Sequence, residues 1–250
     1  MKTSFTKKEL QKYLNQRSKH QNYGIRTLFV PPLVTDKNLD QVSEIYGQLI
    51  GNNYETAVII EPVQGDLDKK IPMPSASEFK TPFGVVPVNE EMRNEFCDED
   101  DDFFIDDSGL HGNMSLFDHL AMMQCAKEDF NAVSIQLADE RLEIVDEMIY
   151  VLGELLAGRN VILICACNLS INHIEEFKRV KEILDSNEIS SLKNYLYSGQ
   201  SKIEGMGVFL TGVCVANAWE LDIEFLNGDY RKREGSSLIA GYAGFHPPEI

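Results

Sequence analysis

Two hydrophobic periods alternate along this chain. Thr56-Ala57-Val58-Ile59-Ile60 and Val161 to Ala166 are unbroken apolar runs, the pattern of strands buried on both faces of a sheet. Ile25 to Pro31 and Asn131 to Leu137 read as two more strands. Between them apolar residues recur at helical spacing. One series is Leu39, Val42, Ile45, Tyr46 and Leu49, closed by Gly51. Another is Leu142, Val145, Ile149, Leu152 and Leu156, capped by Asp139 and ended by Gly158. Further helices are predicted over 173–185, 188–197 and 207–219, and one more whose start is flanked by His111 and His119. Residues 62–80 read as a proline-bearing loop. Leu221 to Leu226 and Ser237 to Phe245 read as two closing strands around Asn227-Gly228.

Strands alternating with amphipathic helices predict an α/β fold with a mostly parallel central sheet flanked by helices, in a single domain. Thr6-Lys7-Lys8-Glu9 is a capping box followed by Leu10, Tyr13 and Leu14 at helical spacing, so a short basic helix is predicted over about 6–19. The expected division is a basic N-terminal arm or helix over 1–24 and the α/β domain over 25–250.

Charge sharpens that division. The chain of 250 residues carries a net charge of −17, yet its first 26 residues carry seven Lys or Arg against the single acid Glu9. A basic arm on an acidic body suits a partner that presents both phosphates and basic protein surface. The acidic body itself argues against a free nucleic-acid binder. No run of apolar residues is long enough to span a bilayer, and the first residues lack the apolar core of a signal peptide. The expected location is cytoplasmic, with no membrane partner. Five cysteines, 97, 125, 165, 167 and 214, are too few and uneven for a disulfide framework. Cys165-Ala166-Cys167 reads as small apolar residues on a strand.

Generic catalytic motifs are absent: no Walker A loop, no HExxH, no nucleophile elbow and no dinucleotide fingerprint. Gly205-Met206-Gly207 reads as a helix-packing device. The acidic run Asp98 to Asp102 places Phe103 and Gly109 where a calcium loop needs Gly and Glu, so it reads as a solvated loop or a docking site for a basic partner. His111, His119 and His173 stand in no metal-ligand spacing.

Taken together the segments resemble the Memo family, relatives of the class III extradiol dioxygenases, from about Arg26 to Phe245. Thr81-Pro82-Phe83-Gly84, followed by Val85 to Asn89, resembles the family's Thr-Pro-Leu-Gly stretch. Asn113-Met114-Ser115-Leu116 resembles its Glu-His-Ser-Ile helix, with Ser115 in step. Asn160 to Asn168 is similar to the strand that ends Ser-Ser-Asp. The resemblance implies where a metal site would stand, and there the residues depart. Its first histidine position holds Pro32, its second Gln64, and its third ligand position Glu204. The Glu-His pair has become Asn113-Met114 and the aspartate Asn168.

Proline offers no ligand atom, glutamine is a weak one, and a lone carboxylate does not hold a catalytic ion. The expectation is a pseudoenzyme: no catalytic residue, no metal and no cofactor. It would be a binding protein, proposed as a regulatory or inhibitory factor docked on a ribosome or other ribonucleoprotein. Lys7, Lys8, Lys12, Arg17 and Lys19 would meet phosphates, with Arg231-Lys232-Arg233 in the closing hairpin as a second contact. Two alternatives stand beside it. One is a metal-dependent oxidoreductase rebuilt from Glu61, Glu204, His111, His119 and His173. The other is a signalling adaptor that binds peptides in the old pocket.

Overall fold

A computed structural model describes residues 5–17, 24–63, 67–111 and 114–245. Four consecutive parallel strands form the heart of it. Their order in the sheet is β7 (Asn131–Leu137), β2 (Thr56–Pro62), β8 (Val161–Ala166) and β1 (Thr27–Val30). Two antiparallel strands, β10 (Gly241–Gly244) and β9 (Asp222–Phe225), complete the six on the far side of β1.

The unbroken apolar runs have the reason expected of them. Along β8, Val161, Leu163 and Cys165 enter one core, while Ile162 and Ile164 enter the other. β2 divides likewise, Val58 and Ile60 against Ala57 and Ile59. Each strand therefore needs apolar residues at every position.

Helices cover both faces. On one lie α3 (Glu90–Glu99), α5 (Leu142–Leu156), α6 (Ile174–Asp185), α7 (Ile189–Tyr195) and α8 (Met206–Ala218). On the other lie α1 (Lys7–Arg17), α2 (Leu39–Gly47) and α4 (Ser115–Ala126). Gly207 explains how α8 approaches so closely: a Cβ there would stand 2.7 Å from Leu137 Cδ2 and 2.9 Å from Val145 Cγ2. The Gly-Met-Gly segment is thus a packing device, as its sequence suggested.

α1 is docked. Leu10 and Leu14 are fully buried in the same core as α2 and α4, and the Thr6–Glu9 capping box closes reciprocally. The described part of the basic segment is therefore continuous with the domain.

The stretch between β2 and β7 holds more structure than a loop. β3 (Ile71–Met73) pairs with β6 (Phe103–Ile105) in parallel, and β4 (Glu78–Thr81) with β5 (Gly84–Pro87) as a hairpin. The Thr81-Pro82-Phe83-Gly84 stretch is that hairpin's turn, where Gly84 takes φ +131° and Thr81 Oγ1 bonds Gly84 O and Phe83 N. Asn89 then caps α3 by accepting from Met92 N at 3.0 Å. The acidic run is not simply a solvated loop. Asp98 and Glu99 end α3, Phe103 is buried against Phe96, and Asp102 meets Lys70 at 2.7 Å.

Candidate functional site at the carboxyl edge of the sheet

In an open parallel sheet, ligands bind beyond the carboxyl ends of the strands. Pro32 follows β1 there, Asn168 follows β8, and Gln64 follows β2 but lies outside the described residues, as do Asn113 and Lys19. Glu204 reaches the same edge from before α8. It forms an antiparallel bridge with Asn168, and Asn168 Nδ2 donates to Glu204 Oε2 at 2.9 Å. Gly205, at φ +69°, lets the chain pass over Ala166 and Pro62: a Cβ would stand 3.0 Å from Ala166 O and 3.1 Å from Pro62 Cγ. Two of the positions implied by the resemblance are thus brought together, and their side chains bond each other.

A second group occupies the β2–β7 side of this edge. Glu61 and its register partner Gln136 are both buried. Glu61 Oε2 accepts from Ser115 N at 2.8 Å and Ser115 Oγ at 2.5 Å, so its carboxylate takes the first orphan N–H groups of α4. Burial nonetheless raises its pKa, opposed by the Ser115 and Leu116 bonds and the charge of His111. Among the described residues Glu61 Oε1 and Gln136 Oε1 have no hydrogen-bond partner. Met114, at the N-cap of α4, is buried and accepts from His111 N at 3.3 Å through Sδ. The glutamate's role was unread from sequence. Its one signal was a carboxylate ending an otherwise apolar strand, which calls for a donor pair nearby.

The five residues of the rebuilt-metal reading do not assemble. Glu61 serves α4 and Glu204 serves Asn168. His119 is buried on α4, where its Nδ1 and the Tyr46 hydroxyl lie 3.0 Å apart. Burial lowers its pKa to about 4, countered weakly by Asp118 and the Pro31 backbone. It is a packed core histidine. His173 ends a short 3-10 turn, its N–H on Ser170 O. Among the described residues, the carboxylates and imidazoles close enough to share an ion are Asp100, Asp102 and Glu147, none of them a position the resemblance implies. Asp102 there is already neutralised by Lys70, and the hydrogen bond with Asp102 raises the exposed Glu147 to about 7. Cys165 and Cys167 are buried, and burial raises both thiols, which keeps them protonated and poor ligands.

The predicted partner-binding cations are divided between α1 and the turn after β9, where Arg231 lies 6.0 Å from the Phe177 ring of α6; the Arg17 side chain lies outside the described residues. Lys8 and Lys12 are exposed on α1 and Lys7 is half-buried. Arg231 and Lys232 lie in a 3-10 turn beside α2. Two of the three hairpin bases are engaged: Arg233 pairs with Asp40 of α2 at 2.6 Å, and Arg231 donates to Asn227 Oδ1 at 2.7 Å. Arg26, counted with the basic segment, is structural; it bonds Leu156 O and Arg159 O and lies over the Trp219 ring.

The fold is a mostly parallel α/β sheet covered on both faces, with Asn168 and Glu204 paired at its carboxyl edge. The chain belongs to the Memo family: the Memo-like protein family matches residues 2–213. Among solved structures it is similar to an uncharacterized protein, JW3007, of Escherichia coli K12. The two are 14% identical, with a TM-score of 0.59, over 89% of this chain and all of that one. That likeness is one of fold. No curated protein sequence matches the chain. Among the described residues no helix is long and apolar enough to cross a membrane.

Proposed function

We propose that this Memo-family chain is a non-catalytic binding protein, a regulatory or inhibitory factor that docks on a ribosome or comparable ribonucleoprotein in the cytoplasm. The observation that carries the non-catalytic part is the Asn168–Glu204 pair. The one acidic side chain at the implied ligand positions accepts from Asn168 Nδ2, and Pro32 offers no ligand atom.

Charge supports the partner. Lys8 and Lys12 stand on a helix that the core holds in place, so they are presented at fixed spacing without an ordering cost on binding. The rest of the molecule is strongly acidic and suits basic ribosomal protein surface. Co-sedimentation with purified ribosomes over a salt series tests this. Affinity is expected to fall linearly on a log–log plot, and K7Q/K8Q/K12Q to reduce the slope by about two, at roughly 0.7–0.9 per lost phosphate contact. Absence of association at low salt, or an unchanged slope, overturns it.

A further inference from the structure

We infer that the open edge of β9 is a strand-addition site for an extended peptide that alternates basic and aliphatic residues. The inference does not depend on the ribosome reading.

The two edges of the sheet differ. β7 is covered: Val88 bridges Ala132, Asn89 N donates to Ala132 O, and Ala138 N donates to Lys70 O. Among the described residues β9 ends the sheet at the other side. Leu226 N donates to Ala240 O, and Ala243 O accepts from Arg26 across β1. With the β9–β10 register, this places the bonded pairs at Asp222–Gly244 and Glu224–Tyr242. The N–H groups of Ile223 and Phe225 and the Ile223 carbonyl therefore point outward, where an added strand would meet them, while Phe225 O accepts from Asn227 N at 3.1 Å and ends the usable edge.

Both faces beside this edge are hollow. On the α6–α8 face lies a cleft of about 760 Å³, floored by Ile223 and Phe225 and closed by Leu184 and Ile189. On the α2 face lies one of about 360 Å³, lined by Glu44, Glu224 and Asp229 with Arg233, where Glu44 and Glu224 accept from the Tyr230 and Tyr242 hydroxyls. Side chains of an added strand would alternate between them, aliphatic into the first and basic into the second. The larger cleft's rim is also acidic, with Asp185, Glu220, Asp222 and Glu224 against Lys181. Asn187 and Glu220, the non-glycine residues described at positive φ (55° and 56°), both border this cleft. A second copy of the chain is the wrong occupant, because β9 against β9 would set Asp222 and Glu224 beside like charges.

The test is fluorescence anisotropy and amide-resonance mapping with a short capped peptide that alternates lysine and valine. Three comparisons accompany it: the same peptide with alternate backbone nitrogens methylated, a glutamate–valine peptide, and the variant Ile223→Pro. Proline is tolerated at an edge position whose N–H faces outward. The lysine peptide is expected to bind and shift the amides of 222–226. Methylation or Ile223→Pro is expected to weaken binding by about tenfold or more, and the glutamate peptide not to bind. Failure of the lysine peptide to bind, equal binding of the methylated peptide, or shifts confined elsewhere overturns the inference. So does a concentration-dependent dimer that uses β9. If Ile223→Pro fails to fold, the methylated peptide decides alone.

Discussion

Glu61 and His119 show how little a residue's type says before its surroundings are known. Both were candidate ligands; one serves a helix end and the other a core. For His119 the consequence is a pH dependence. Its folded pKa of about 4 lies below the ordinary 6.5, so the unfolded chain binds more protons between those values. The stability it contributes is complete above about 6.5 and lost as pH falls through 4. Between pH 8 and pH 5 the loss is about 2 kcal/mol. Urea unfolding of the parent and of His119→Gln at both pH values measures it; the variant is expected to show a shallower dependence. Glu61→Gln keeps an acceptor for Ser115 and adds an N–H₂ group beside Gln136, whose Oε1 is unpartnered. It is expected to raise stability by about 1 kcal/mol, and a lower denaturation midpoint would show that the carboxylate's charge at the head of α4 matters more.

At the scale of elements, the regular ones were legible because period and punctuation agreed. β7, α5 and β8 were read at or within a few residues of their observed bounds, since full burial demands unbroken apolar runs and Gly158 stops α5 in the left-handed region. The segment from Leu67 to Phe103 was not legible. β3, β4 and β5 are three or four residues long and pair only with one another or with β6, too short to show a period. α3 carries five acidic residues in ten, which masks its apolar face. The implied positions Pro32, Asn168 and Glu204 were legible only through the resemblance; that Asn168 and Glu204 bond each other needed the fold. α1 was read as basic, and its docking follows from Leu10 and Leu14. Leu14→Ala is expected to cost about 2–4 kcal/mol in chemical denaturation; a change below about 0.5 would mean a freely hinged arm. Gly207→Ala, with a Cβ driven into Leu137 and Val145, is expected to cost about 1–3 kcal/mol.

The whole molecule is a Memo-family chain in which two carboxylates at the carboxyl edge of the sheet are bonded to neighbours, Glu204 to Asn168 and Glu61 to Ser115. Two exposed lysines, Lys8 and Lys12, stand on α1, and acidic side chains line the edge at β9. The non-catalytic reading presumes that the carboxyl edge of the sheet does not grip an ion. Elemental analysis decides this directly: the purified chain is equilibrated with zinc, iron or copper, desalted, and its bound metal counted. The account predicts far less than one ion per chain, unchanged in Glu204→Gln. About one tightly held ion per chain, lost in Glu204→Gln, would contradict it.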